Sequence, residues 1–203
     1  MHFCKATFYY QQALNNQGYI LNHNQILDDS QLTDLCKAKD ELAQKALYDK
    51  YANKMMRTCL RYLNDEMEAE DAMIDGFMKV FSKIETFEFR GKGSLEGWIK
   101  RIMVNESLML IRKRKMDQVE LDKVHNLSSN HATVESELME ETIVNVIQKL
   151  PNGYRTVFNM YVIEGYSHKE IGEKLNISEN TSKSQLSKAR ASLSKSLTQI
   201  GAL

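Results

Sequence analysis

The sequence contains few residues that interrupt helices, and it shows no strand pattern. Its 203 residues include one proline, Pro151, and nine glycines. Proline and glycine are the residue types that fit helix interiors least well. Apolar residues instead recur three or four positions apart over long stretches, the spacing of a helix with one buried face. The pattern therefore predicts an all-α chain.

Long apolar runs are also missing. No run approaches the ~20 residues that a membrane-spanning helix needs, and the first residues, "MHFCKATFYYQQALNNQGY", lack the apolar core and cleavage site of a secretory signal. We therefore expect no membrane insertion and a cytoplasmic location. Cys4, Cys36 and Cys59 are far apart and form no CxxC pair, so we expect reduced thiols rather than disulfides or a zinc site.

Signatures of catalysis are absent as well. The sequence has no phosphate-binding glycine loop and no nucleophile beside a base. Its histidines are scattered: His2, His23, His125, His131 and His168. We expect a protein that is not an enzyme and that holds neither a metal nor a cofactor.

Net charge is zero, because 27 basic residues balance 27 acidic ones. The distribution matters more than the sum, and here it is uneven. Acidic residues gather at Glu66, Glu68, Glu70, Asp71 and Asp75. Basic residues gather at Lys100, Arg101, Arg112, Lys113, Arg114 and Lys115, and again at Lys183, Lys188, Arg190 and Lys195. Such a chain can present a positive surface to DNA and a negative one to another protein.

The periodicity divides the chain into two helical units. Residues 1–30 are polar and weakly patterned, with no assignable role, and residues 31–115 form the first unit. Residues 116–134 lose the helical spacing and collect turn-prone residues, which predicts a flexible linker. Residues 135–203 form the second unit, which Pro151 interrupts. We expect two small helical domains joined by this linker.

Residues 166–193, "YSHKEIGEKLNISENTSKSQLSKARASL", have the outline of two short helices with a tight corner. Ser167 and Glu170 fit a capping box, in which each side chain bonds the other residue's backbone, so a helix starts there. Residues 176–178, "NIS", form the turn, and their serine is placed to cap the next helix. The spacing predicts a helix-turn-helix.

The second helix of this corner has two distinct faces. Its apolar line is Leu186, Ala189, Leu193 and Leu197. Pointing outward near its start are Lys183, Ser184, Gln185, Ser187 and Lys188. Small, amide and basic side chains suit base edges and phosphates, which predicts a DNA-reading helix. A solvated helical hairpin would show a similar pattern.

A second basic stretch, "FRGKGSLEGWIKRIMVNESLMLIRKR", combines features that unpaired DNA requires. It carries a glycine loop, an aromatic residue (Trp98), an amide (Asn105) and several basic residues. Aromatic rings stack on unpaired bases, and cations attract the backbone. A single tryptophan at helical spacing is more often part of the core, so Trp98 also has a structural interpretation. Ser94 is placed to cap the following helix, expected from Leu95 to Arg114.

These stretches resemble the extracytoplasmic-function (ECF) sigma factors, the two-domain minimal form of the bacterial sigma-70 family. The likeness covers about Gln31 to Leu197. "EAEDAMIDGFMKVF" and "FRGKGSLEGWIKRIMVN" are similar to the family's region 2, and "KLPNGYRTVFNMYVIEGYSHKEIGEKLNISENTSKSQLSKARASL" resembles region 4. Many regulators end in a similar helix-turn-helix, so the ordered pair is more specific than either motif alone.

The resemblance implies an RNA polymerase sigma factor whose partners are core RNA polymerase, promoter DNA and an anti-sigma factor. The residues implied to bind core polymerase are Asp71, Asp75, Phe77 and Phe81. Those implied to capture and melt the −10 element are Arg90, Gly91, Lys92, Gly93, Ser94, Trp98, Lys100, Arg101, Asn105 and Arg112. Those implied to contact the −35 element are Lys183, Ser184, Gln185, Ser187 and Lys188.

Three positions depart from the family pattern. Ile74 stands where a polar residue, often Gln, is usual, and Met109 replaces the Asp common four residues after the Asn. Gln185 stands where a basic residue is frequent. The first departure bears on a polymerase contact and the second on the hydrogen bonds near Asn105. The third predicts a shifted −35 preference and a shallower salt dependence, since each lost phosphate contact lowers the slope by roughly one.

Two other interpretations remain open: a stand-alone regulator that binds duplex operator DNA, and a helical adaptor without DNA activity. The glycine loop with Trp98 and Asn105 favours the sigma factor, because a duplex-only binder does not need it. Zero net charge then predicts that the free protein binds promoter duplex weakly, since few phosphate contacts act at once. Polymerase supplies the missing affinity by linking both domains to one assembly.

Overall fold

A computed structural model of the protein describes residues 27–121 and 145–199, and these residues form helices and no strand. The all-α prediction is therefore confirmed for this part of the chain. The elements are α1 (Asp29–Lys37), α2 (Glu41–Leu63), α3 (Glu66–Lys83), a 3₁₀ turn (Ile84–Thr86), α4 (Ser94–Leu121), helical residues 145–148, α5 (Asn152–Phe158), a π-helical turn (Asn159–Ile163), α6 (His168–Leu175) and α7 (Glu179–Gln199).

Aspartates fix the starts of the first three helices. The carboxylates of Asp28, Asp40 and Asp65 each accept a hydrogen bond from the backbone N–H three residues later, at 2.8 Å, 2.8 Å and 3.0 Å. Each bond satisfies one of the N–H groups that a helix start leaves free. Asn64 ends α2 in the left-handed conformation, with φ of 56°. The chain therefore turns sharply between α2 and α3.

The N-terminal unit (residues 27–121) packs α2, α3 and α4 around one apolar core. Its fully buried side chains include Leu47, Met55, Ile84, Leu95, Ile99, Met103 and Leu108. Gly76 of α3 lies directly against Met103 of α4, and a Cβ at that position would overlap the methionine side chain. Glycine therefore allows α3 and α4 to approach closely. Leu42, near the start of α2, is 48% exposed.

Helix α4 is longer than the sequence pattern indicates. We expected it to end at Arg114, but it continues to Leu121, into the segment predicted as linker. A helix propagates through weakly patterned residues once its earlier turns are packed, because each added residue needs only one more hydrogen bond. The rest of the predicted linker, residues 122–134, and the predicted restart near Glu135 lie outside the described residues.

The C-terminal unit (residues 145–199) packs residues 145–150, α5 and α7 around a smaller core, whereas Ile171 of α6 belongs to the larger core. Arg155 of α5 is 3% exposed, and its guanidinium donates to the carbonyls of Gln148 (2.8 Å) and Leu150 (3.0 Å). Burial lowers the pKa of Arg155 to about 10, so the group remains charged at neutral pH. A buried cation thus binds the end of helical residues 145–148 to α5.

The two units are in contact through the end of α2. Arg155 donates to the carbonyl of Tyr62 at 3.2 Å, and the amide of Asn159 donates to the carbonyl of Arg61 at 2.7 Å. Buried Val157 and Met160 of the C-terminal unit join the apolar core of the N-terminal unit. The C-terminal unit therefore caps the end of α2, a helix of the N-terminal unit.

No helix in the described ranges is long and apolar enough to cross a membrane.

Candidate nucleic-acid interface

Local hydrogen bonds build the predicted corner. The Ser167 hydroxyl accepts from the backbone N–H of Glu170 at 3.2 Å, and the Glu170 carboxylate accepts from the N–H of Ser167 at 2.8 Å. These bonds hold the pKa of Glu170 below its ordinary value. The capping box predicted from the sequence is therefore confirmed, and α6 starts where expected.

The turn into α7 is equally well defined. Asn176 adopts the left-handed conformation with φ of 53°, and the Ser178 hydroxyl accepts from the N–H of Thr181 at 3.0 Å. A Cβ on Gly172 would lie 2.8 Å from the carbonyl oxygen of Ile177, so only glycine fits beside the turn. The predicted helix-turn-helix is present, with the predicted serine capping α7.

Most of the predicted −35 residues lie on the open side of α7. Its inward face is buried at Leu186, Ala189 and Leu193. Exposed on the other side are Lys183, Ser184, Ser187 and Lys188. Gln185 differs, since it is half-buried and its amide lies beside Gly153 of α5. The structure therefore brings four of the five together on one accessible surface.

A polar pair that the sequence interpretation missed lies behind this surface. Ser182 of α7 is fully buried, and its hydroxyl is 2.9 Å from Nδ1 of His168, the first residue of α6. The His168 ring stacks on Tyr161, with centroids 4.4 Å apart. This contact fixes the rotation of α7 next to Lys183. A small polar residue at an inward helix position was the available signal.

Two glycines shape the loop before α4. Gly91 and Gly93 have φ of 105° and 84°, values that residues with a side chain rarely adopt. The Ser94 hydroxyl donates to the carbonyl of Gly91 at 2.7 Å and accepts from the N–H of Arg90 at 3.1 Å. The prediction that Ser94 caps α4 is wrong, because its hydroxyl closes the loop and the residue is the first of the helix.

Six of the predicted −10 residues are exposed around this loop and along α4: Arg90, Lys92, Gly93, Arg101, Asn105 and Arg112. Trp98 is half-buried and packs on Phe87 with ring centroids 4.9 Å apart. This packing agrees with the structural interpretation of Trp98 as part of the core. Phe89, which the sequence interpretation did not single out, is 38% exposed directly before Arg90. The accessible aromatic ring of the loop is therefore Phe89.

One of the −10 candidates contacts the C-terminal unit instead of facing solvent alone. Lys100 lies 2.6 Å from the Glu164 carboxylate, whereas Arg101, the next residue, is exposed. Lys100 is therefore not open to DNA while the units are in contact. Sequence periodicity gives no sign of this pairing, since the partners are far apart in the chain.

The predicted polymerase-binding residues on α3 divide into two groups. Asp71 and Asp75 are exposed. Phe77 is 3% exposed against Tyr48, and Phe81 is half-buried against Phe77. The prediction that Phe77 contacts a partner is wrong for this structure, because its ring is a core side chain. The exposed apolar residues of α3 are Met67 (78%), Ile74 (40%) and Met78 (66%).

Among the described residues, no group of His, Cys, Asp and Glu is arranged to hold a metal ion. Cys36 and Cys59 are buried free thiols, and burial raises the pKa of each to about 11. Both thiols therefore stay protonated at neutral pH, which makes them poor nucleophiles. Cys4 lies outside the described residues.

Both halves of the chain match models of one protein family. The model described as Sigma-70 region 2 matches residues 47–116, and that described as Sigma-70, region 4 matches residues 140–193. Together they cover more than half of the chain. Each contains one of the two candidate surfaces: the loop and α4 in the first, α6 and α7 in the second.

Similar proteins point the same way. The chain is 32% identical over 174 residues to the ECF RNA polymerase sigma factor SigW of Bacillus subtilis. These aligned residues cover 79% of this chain and 92% of that protein. It is 26% identical over 182 residues to the RNA polymerase sigma-H factor of Pseudomonas aeruginosa, covering 83% and 93%.

A similar solved structure is the sigma factor RpoE in complex with the anti-sigma factor NepR from Bartonella quintana. Its TM-score is 0.52 with 22% identity, over 76% of this chain and 96% of that one. This likeness supports the helical fold. The chain belongs to the ECF sigma factors of the sigma-70 family, the subunits that direct RNA polymerase to initiate at specific promoters.

Proposed function

We propose that the N-terminal unit captures the melted −10 strand on the loop and α4. The observation that carries this proposal is the exposed combination of an aromatic ring (Phe89), an amide (Asn105) and basic side chains (Arg90, Lys92) around a glycine loop. The ring would stack on an unpaired base, the amide would bond its edge, and the cations would bind the backbone.

The C-terminal unit is proposed to bind the −35 element as duplex. The first half of α7 enters the major groove, with Lys183 and Lys188 on phosphates and Ser184 and Ser187 at base edges. Lys183 also forms an exposed ion pair with Glu179 at 2.7 Å. This pair should not prevent Lys183 from binding a phosphate, because solvent-exposed ion pairs contribute little to stability. Gln185 reaches the DNA only if its amide leaves Gly153.

Core RNA polymerase is proposed to bind the exposed face of α3. This face carries Asp71 and Asp75 beside Ile74, with Met67 and Met78 toward the two ends of the helix. Methionines are adaptable contacts, and an apolar centre with a charged rim is usual for protein interfaces. The buried Phe77 supports this face from below, and Phe81 lies at its margin.

Regulation and location follow from the family. Because a similar solved structure holds a sigma factor with its anti-sigma factor, we propose that an anti-sigma factor also binds this chain. The proposed partners, core polymerase and promoter DNA, place its action in the cytoplasm. The stand-alone regulator is less favoured, because it leaves the exposed loop without a role.

Run-off transcription with purified core polymerase on a library of promoter fragments tests this function. We expect initiation that depends on this protein and is lost with Asn105→Ala. The control is Asn53→Ala, an exposed amide of α2 that is not among the proposed DNA contacts, which should initiate normally. Absence of initiation, together with a polymerase-independent duplex footprint over α7, would instead establish the stand-alone regulator.

A further inference from the structure

Glu164, which follows the π-helical turn, joins the two units. Its carboxylate accepts a hydrogen bond from Arg61 of α2, with Nη2 to Oε1 at 3.0 Å. Its other oxygen, Oε2, lies 2.6 Å from Nζ of Lys100 on α4. The side chain of Glu164 is 8% exposed, and those of Arg61 and Lys100 are 22% and 27% exposed. Two cations from different helices thus converge on one buried anion.

The arrangement of these donors also suits a phosphate. Arg61 and Lys100 each hold one oxygen of the carboxylate, and a phosphate diester presents two free oxygens in a similar way. The Nε of Arg61 is buried and has no hydrogen-bond partner. A guanidinium with an unused donor can serve an additional acceptor oxygen. The pair therefore has the charge and the donors for an anion larger than a carboxylate.

The contact between the units cannot persist on a promoter if both units bind DNA as proposed. The −10 and −35 elements are about 25 base pairs apart, roughly 85 Å of duplex at ~3.4 Å per pair. Helix α2 has 23 residues, which makes it only about 35 Å long, and α5 lies against its end. Separation removes Glu164 and leaves Arg61 and Lys100 without their anion.

We propose that Arg61 and Lys100 form a phosphate site on the N-terminal unit. Glu164 fills the site while the units are in contact, and a backbone phosphate of the melted −10 strand fills it after they separate. The site rests on the proposed function and adds Arg61 to its contacts. Lys100 is thus a cation of the proposed strand path that the C-terminal unit covers.

The test measures binding of a dye-labelled oligothymidine single strand to the full chain by fluorescence anisotropy. Glu164→Gln removes the internal anion and keeps the shape of the side chain. We expect it to bind the strand roughly tenfold more tightly, the size of a typical coupling between two sites. Glu173→Gln, on the exposed side of α6, is the matched control and should bind as the wild type does.

Arg61→Met in the Glu164→Gln background identifies the site itself. The gain should disappear, and the slope of log affinity against log salt should fall by about 0.7, the value for one phosphate on a single strand. Arg61→Lys, which keeps the charge, should retain most of the gain. Thermal melting followed by circular dichroism shows that each variant is folded. A gain that survives Arg61→Met, or no gain with Glu164→Gln, would overturn the phosphate site.

Run-off transcription with the wild-type chain separates this inference from the proposed function. Polymerase-dependent initiation together with a gain that does not need Arg61 would leave the function standing and remove the phosphate site. No initiation together with a gain that needs Arg61 would leave a single-strand phosphate site and remove the function on which it was placed.

Discussion

The two units present their proposed DNA-binding residues on different kinds of local structure. In the N-terminal unit these residues surround a loop held by Gly91 and Gly93 at positive φ. In the C-terminal unit they lie on one face of α7, whose start is capped by Ser178 and whose rotation is fixed by Ser182 and His168. A loop with exposed side chains suits bases that have left the stack, whereas a fixed helix suits the regular major groove. The C-terminal surface should therefore depend on packing, and the N-terminal surface on individual side chains.

Loss of the buried guanidinium of Arg155 should impair the C-terminal surface more than the N-terminal surface. Arg155→Met removes hydrogen bonds to Leu150, Gln148 and Tyr62 and should lower the free energy of unfolding by about 3 kcal/mol or more. Urea denaturation measures it, and duplex binding should fall more than single-strand binding. Arg57→Met, at an exposed position of α2, is the control. An equal loss of unfolding free energy in the two variants would contradict the argument that the burial of Arg155 makes it important for stability.

A methyl group at the corner tests packing in the C-terminal unit alone. Gly172→Ala places a Cβ 2.8 Å from the carbonyl oxygen of Ile177 and should destabilise the corner by about 1–3 kcal/mol. Duplex binding should weaken while single-strand binding stays unchanged. Gly97→Ala on α4 meets no atom within 4 Å and should be neutral or slightly stabilising. Equal effects in thermal melting would remove the proposed difference between the units.

The exposed ring of Phe89 tests whether the N-terminal surface depends on individual side chains. Phe89→Ala should weaken binding of an unpaired strand by about 1 kcal/mol, the lower end for one stacked base, with little change in stability or duplex binding. Phe89→Tyr keeps the ring and should bind like the wild type. A loss in both variants, or in duplex binding as well, would show that Phe89 acts through the fold.

The smallest expected effect concerns one phosphate on duplex DNA. Lys188→Gln should lower the slope of log affinity against log salt by about 0.9 for duplex and leave single-strand binding unchanged. Lys195→Gln, exposed one to two turns further along α7, should change neither slope. A lower slope for the single strand would mean that the two surfaces are not separate.

Local features of the fold were predictable from the sequence, because their partners lie three or four residues apart. The capping box of Ser167 with Glu170 and the cap of α7 by Ser178 belong to this class. Burial of Phe77 was open to the same method, since it follows Met73 by four residues in the apolar stripe, but the resemblance to the family suggested a surface role. The pair of Lys100 with Glu164 was beyond reach, because helical periodicity contains no information about which distant helices meet.

The last turn of α2 has a further consequence for how the two units can be observed. A helix end normally opens to water first, because its final carbonyls have no partner within the helix. Here Arg155 and Asn159 of the other unit bind the carbonyls of Tyr62 and Arg61. Deuterium should therefore enter the backbone amides of this turn slowly while the units are in contact and quickly after they part. The exchange rate at the end of α2 therefore reports whether the two units are in contact. It can be measured without a label on either proposed DNA-binding surface.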